Sequence, residues 1–169
     1  MIYGADFHGG SVTDNSVSFF ANDSSTIVSV YQIIAGRSGF YKGEASRNTV
    51  NIDFSAKTTA SPTFGDIKGG SSGNDTSSDQ TGFGDNEAYD NNVYIKGSIQ
   101  ANVNVSEVVG GKTYNGIAKR NNVYLTDVNA AGAVIGGQTV NSRNPDIAAG
   151  VADDNSVNIL RGTINGDIY

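Results

Sequence analysis

Five copies of one short pattern, Asn-x-Val-x-apolar, constrain this chain more than any other feature. They read Asn15-Ser16-Val17-Ser18-Phe19, Asn48-Thr49-Val50-Asn51-Ile52, Asn91-Asn92-Val93-Tyr94-Ile95, Asn121-Asn122-Val123-Tyr124-Leu125 and Asn155-Ser156-Val157-Asn158-Ile159. Successive copies begin 33, 43, 30 and 34 residues apart. Self-similarity at such a period is the signature of a repeat architecture, in which one unit cannot bury its apolar face alone and stacks on its neighbours. Within each copy the alternation has period two, so each reads as a short strand. Asn, Val and the last apolar residue share one face, and the intervening Ser, Thr, Asn or Tyr share the other.

A second signature follows the copies: Ile33-Ile34-Ala35-Gly36, Asp66-Ile67-Lys68-Gly69-Gly70, Val108-Val109-Gly110-Gly111 and Val134-Ile135-Gly136-Gly137. Between the two lies a third alternating stretch, clearest at Ser98-Ile99-Gln100-Ala101-Asn102-Val103-Asn104-Val105. One unit thus reads as strand, turn, strand, turn, strand ending in Gly, then a loop. Three short strands per unit, stacked unit on unit, predict an all-β parallel β-solenoid. Residues 1–169 then form a single solenoid, with units starting near 15, 48, 91, 121 and 155. Residues 71–87 and 138–154 read as long loops. Both chain ends fall inside a unit, from which we expect a segment of a longer repeat protein. The residue before each pattern Asn alternates in charge, as Asp14, Arg47, Asp90, Arg120 and Asp154. If each unit is one coil, these residues stack at one corner with opposite signs on adjacent rungs.

Composition narrows the partners. The formal net charge is -6 and charged residues make up 17%, so no basic patch is available for nucleic acid or an anionic membrane surface. No apolar run approaches the length of a membrane span, so no membrane insertion by this segment is expected. Cysteine is absent, which excludes a disulfide framework, thiolate metal sites and a Cys nucleophile. The 22 Gly and 19 Asn suit a chain that turns often, because both tolerate left-handed backbone.

Copies of Asn-x-Val-x-Ile followed by Val/Ile-x-Gly-Gly resemble the passenger domains of bacterial autotransporter adhesins. That resemblance implies a right-handed β-helix exported to the bacterial cell surface and tethered by a C-terminal outer-membrane barrel. It also implies adhesion to a host or bacterial surface protein or glycan. It carries over no catalytic residues and implies no cofactor. A second class of function for the same fold is a structural filament subunit that associates end to end.

Four groups of side chains are candidates for chemistry. The Asn ladder reads as structural, since stacked amides hydrogen-bond along the axis. Tyr94 and Tyr124 occupy equivalent outward positions on consecutive units, where aromatic rings dock sugars or proteins. Asp75, Asp79, Asp85 and Glu87, with Asp90 beyond them, are the calcium candidates, because that ion takes six to eight oxygens. A glycan-cleaving β-helix enzyme would need converging carboxylates. Asp53, Glu107 and Asp127 are single acids on different units with no recurring partner, and His8 is the sole histidine. A non-catalytic protein is therefore expected.

Overall fold

The computed structural model describes residues 1–7, 10–20, 28–39, 43–56, 61–73, 86–140 and 149–169. Every regular element among them is a strand: β1 (Ile2–Phe7), β2 (Ser11–Thr13), β3 (Ser16–Phe20), β4 (Ser29–Ser38), β5 (Glu44–Ser46), β6 (Thr49–Asp53), β7 (Thr63–Ser72), β8 (Asn86–Tyr89), β9 (Asn92–Lys96), β10 (Val103–Tyr114), β11 (Gly116–Lys119), β12 (Asn122–Ala130), β13 (Val134–Val140), β14 (Val151–Asp153) and β15 (Ser156–Ile164). They form a ten-stranded sheet and a five-stranded sheet, and all pairings between named strands are parallel. This parallel all-β architecture is consistent with a β-solenoid.

The stacking follows the sequence repeat. Val17, Val50, Val93, Val123 and Val157 are mutually in register along β3, β6, β9, β12 and β15, and so are Phe19, Ile52, Ile95, Leu125 and Ile159. A second row runs through β1, β4, β7, β10 and β13, aligning Ile2, Ile33, Ile67, Val108 and Val134. The third row is the five-stranded sheet β2, β5, β8, β11, β14. Each of the four units that start near 15, 48, 91 and 121 therefore contributes one strand to each row. The two apolar rows face each other around Phe54 and Phe64, both fully buried, with rings packed edge to face at 6.0 Å. Burial of each such aliphatic or aromatic side chain contributes about 1.5–3 kcal/mol.

Three strands per unit do occur, but the third lies elsewhere than the sequence pattern suggests. The middle stretch and the Gly signature fuse into one long strand in β4, β7 and β10. Residues 98–101 of the clearest middle stretch form a turn, closed by backbone bonds between Ser98 and Ala101. The true third strand is the short segment just before the charged residue, within what reads as loop. Its inward apolar side chain is small: Ala45, Ala88 and Ala118 are fully buried and in register. One Ala between polar neighbours produces no apolar periodicity. A signal nevertheless existed, since Ala stands three residues before the pattern Asn at 45, 88, 118 and 152.

The ladder Asn residues close the corner between the third row and the first. The backbone N–H and Nδ2–H of Asn48 both donate to Oδ1 of Asn91, each at 3.0 Å. Asn15, Asn91 and Asn121 do the same to Asn48, Asn121 and Asn155 at 2.9–3.1 Å. The second Nδ2–H reaches back to a third-row carbonyl: Asn48 to Val12, Asn91 to Ala45, Asn121 to Ala88 and Asn155 to Ala118. Every polar atom of the buried amides is thus satisfied, which is what makes their burial tolerable. The glycines matter here for their missing side chain. A Cβ on Gly36, Gly70, Gly111 or Gly137 would overlap the amide of Asn48, Asn91, Asn121 or Asn155.

Left-handed backbone falls mainly on charged residues rather than on the glycines and asparagines that the composition suggests. Asp14, Arg47, Asp90, Arg120 and Asp154 all have φ between 51° and 60°, while only three described glycines, Gly10, Gly73 and Gly162, have positive φ. Non-glycine residues seldom adopt this conformation. Here it turns each charged side chain outward onto one corner.

Candidate functional site

The first row presents its polar face to solvent. Asn51, Tyr94, Tyr124 and Asn158 are in register on β6, β9, β12 and β15. Tyr94 and Tyr124 are 40% and 38% exposed, and their rings stack at 4.9 Å with planes 8° apart. The pairing follows from the parallel register, which sets identical side chains one above the other. It leaves one face of each ring turned along the axis toward a shorter Asn: Tyr94 toward Asn51, and Tyr124 toward Asn158. On the Tyr94 side a depression of about 360 Å³ is lined by Thr49, Asn51, Asp53, Lys96 and Thr126 together with both tyrosines. On the Tyr124 side a second depression of about 320 Å³ is lined by Thr126, Asn158, Ile159 and Leu160.

The Tyr94 depression carries charge of both signs. Asp53 and Lys96 are in register on adjacent strands. Burial pushes the Asp53 carboxyl up, but the bonds it accepts from the Ser55 N–H at 2.9 Å and hydroxyl at 2.6 Å, with Lys96 nearby, hold it below the usual carboxylate range. An ionised acceptor, an ammonium, an amide and two threonine hydroxyls thus surround a flat aromatic face. Hydrogen-bond donors and acceptors beside an apolar ring match a molecule with hydroxyls on its edge and C–H groups on its face.

The charged corner is built from pairs. Arg47 Nε and Nη2 donate to the two Asp14 oxygens at 2.9 and 2.8 Å, and Arg120 does the same to Asp90 at 2.7 and 2.9 Å. These forks hold the Asp14 and Asp90 carboxyls below their ordinary value. At Asp154 the close cation is Lys119, at 3.4 Å, which also reaches Asp153 at 3.2 Å, while Asp154 acts on Arg120 through space. The outer face of the five-stranded sheet adds a hydroxyl cluster. Ser46, Tyr89 and Ser11 all donate to the Glu44 carboxylate, and these bonds, from Ser46 foremost, depress it. In turn the Glu44 charge raises the Tyr89 phenol. A third depression, about 240 Å³, lies there among Glu87, Tyr89, Ile117, Lys119 and Arg120. Its cations and its phenol are already engaged, unlike the ring faces of Tyr94 and Tyr124.

The remaining candidates are dispersed. Asp75, Asp79 and Asp85 lie outside the described residues, as does His8. Glu87 stands on β8 rather than in a loop, and Asp90 is held by Arg120. No cluster of three or more metal-ligating side chains occurs among the described residues. Asp127 is gripped by Arg161 through bonds of 2.7 and 2.8 Å at a bulge in β12, and Glu107 is in register with Asp66 in the second row. Asp53, Glu107 and Asp127 thus occupy three separate settings. Sequence reasoning found the two tyrosines from their equivalent positions but missed Asp53, Lys96 and Asn51 as their neighbours. The strand register that aligns positions 51, 94, 124 and 158 was the signal that could have found them. Comparison with protein-family models, curated proteins and solved structures returned no match.

Proposed function

We propose that this chain is a non-catalytic segment of a bacterial cell-surface adhesin. In this reading a right-handed β-solenoid with three strands per coil acts as stalk and scaffold, and the Tyr94–Tyr124 ledge holds a surface glycan. One observation carries the ligand reading: two exposed, stacked tyrosines each present a free ring face to a depression on a parallel sheet, with charged and polar groups gathered on the Tyr94 side. Aromatic rings bind at low entropic cost because they have few torsions to freeze, and this pair is already fixed by stacking. Surface display at the outer membrane and the autotransporter route belong to the same proposal and rest on the repeat pattern.

The test is retention on a panel of immobilised bacterial and host oligosaccharides. Wild type should be retained by at least one polysaccharide class, and Tyr94→Ala and Tyr124→Ala should each lose retention with unchanged circular dichroism. Binding only to surface proteins, or glycan retention indifferent to both substitutions, would overturn the glycan assignment.

A further inference from the structure

The Tyr94 depression holds two opposite charges that do not join. Asp53 and Lys96 are in register on β6 and β9. Both other opposite charges aligned in register among the described residues do close: Arg37 reaches Asp6 at 3.7 Å and Lys119 reaches Asp153 at 3.2 Å. Asp53 Oδ1 instead accepts from the Ser55 N–H and hydroxyl, which ties the carboxylate to its own turn. Its Oδ2 and the Lys96 ammonium have no bonded partner among the described residues, and Lys96 acts on Asp53 only through space.

The chemistry of the two groups selects what can lie between them. Ionised Asp53 only accepts hydrogen bonds and Lys96 only donates them. A ligand that satisfies both must offer a donor and an acceptor side by side. An acidic sugar serves Lys96 but sets like charge against Asp53, and an amino sugar does the reverse. An acetamido group has both functions, but a trans amide points its N–H and C=O in opposite directions. Two adjacent ring hydroxyls lie on one edge, and each can donate or accept. We propose that the Tyr94 depression takes a neutral pyranose, with its C–H face on the Tyr94 ring and two vicinal hydroxyls bridging Asp53 Oδ2 and Lys96 Nζ. This inference rests on the glycan reading of the tyrosine ledge and narrows it to one sugar class.

The surroundings fit such a ring. Tyr94 gives one face to Tyr124 and turns the other along the axis toward the shorter Asn51, so a sugar over Asn51 continues the stack. Thr49, Asn51 and Asp53 alternate along β6 on this face and set further polar groups at the ring's edge. A depression of about 360 Å³ is at the small end of ligand sites, which suits a single ring. The Tyr124 depression has no charged group in its lining among the described residues, so selection by charge falls on the Tyr94 side.

Saturation-transfer NMR with six methyl glycosides tests the proposal: those of glucose, galactose and mannose, and those of glucuronate, glucosamine and N-acetylglucosamine. Wild type should bind at least one of the three neutral sugars more tightly than any of the other three. Asp53→Asn keeps an acceptor for Ser55, and Lys96→Gln keeps a polar side chain. With unchanged circular dichroism, each should weaken binding of the neutral sugar about tenfold or more, as loss of a charge-assisted hydrogen bond does. Preference should also turn, toward the glucuronide in Asp53→Asn and toward the glucosaminide in Lys96→Gln, which a merely structural role would not produce. A wild type that prefers the glucuronide, the glucosaminide or the N-acetylglucosaminide would overturn the proposal. Binding that Tyr94→Ala abolishes but neither charge variant alters would overturn it and leave the ledge reading intact. Absence of binding to all six would overturn it too, and the ledge reading would then stand or fall on the polysaccharide panel.

Discussion

The amide of Asn121 occupies the space that a Cβ on Gly111 would fill. The two residues belong to consecutive units, so a glycine in one unit exists to admit the side chain of the next. The same relation joins Gly36 to Asn48, Gly70 to Asn91 and Gly137 to Asn155. Repeat spacing and backbone packing are thus one constraint, because the Asn that starts a unit fits only over a glycine.

Gly111→Ala should therefore destabilise the protein through its neighbour's ladder. Overpacking of a close-packed site costs about 1–3 kcal/mol, and displacing Asn121 also strains its bonds to Asn155 and Ala88. For a chain of this size each kcal/mol corresponds to a fall of about 2–4 °C in Tm. Thermal unfolding followed by circular dichroism checks this, and an unchanged Tm would refute the steric argument.

Acid should loosen the fold through its paired carboxylates. Asp14, Asp90, Asp127 and Glu44 are all depressed below their ordinary values of 3.8 for Asp and 4.5 for Glu, by Arg47, Arg120, Arg161 and the Ser46 hydroxyl respectively. A group whose folded pKa lies below its unfolded one contributes stability that is complete above the unfolded value. That contribution is lost as pH falls through the folded value. Stability should accordingly be flat from neutral pH down to about 5 and decline below about 4.5. Arg120→Gln should reduce the size of the decline, which urea midpoints measured across that range would show.

The junction of the two apolar rows should be the most sensitive part of the core. Phe64 is fully buried and packs edge to face with both Phe54 and Phe19, at 6.0 and 5.7 Å. Phe64→Ala removes the ring that bridges them and should cost about 3–5 kcal/mol. Chemical denaturation should register that loss with little change in m-value. A loss below about 1 kcal/mol would mean that the site collapses freely.

The apolar rows were legible because strand periodicity is two and each rung repeats the same inward residues. Val123 could only lie over Val93 once both followed Asn at the same offset. The third row was not legible by that route. Its inward residue is Ala88 or Ala118, too small to mark an apolar face, and its flanks, such as Glu87 and Tyr89, read as loop. Charge alternation revealed the corner but not its conformation, since Asp tolerates positive φ but Arg is not a residue expected there. At Asp154 the close ion pair passes to Lys119, the neighbour of Arg120 in the adjacent unit. The tyrosine ledge was half legible: equivalent positions exposed Tyr94 and Tyr124, but their polar surroundings depend on register across strands far apart in sequence.

A single carboxylate in the ladder should give a stability loss that acid reverses. Asn121 is fully buried, and its Nδ2 donates to Oδ1 of Asn155 at 3.0 Å and to the Ala88 carbonyl at 2.8 Å. In Asn121→Asp the bonds from Asn91 to the side-chain oxygen survive, but a second oxygen replaces the donor and faces two acceptors. Burial and these acceptors disfavour the ionised form, so the folded pKa of the new group rises above its unfolded value. The penalty is then smallest below the unfolded pKa, where both states are protonated, and grows as pH rises through the folded value. At neutral pH an uncompensated buried charge should cost at least about 3 kcal/mol. Asp14, Asp90 and Asp127 weaken both proteins alike in acid, so the new carboxyl makes the two Tm curves converge as pH falls from 7 toward 4. A gap that stays constant over that interval would show that the buried amide donates to neither partner.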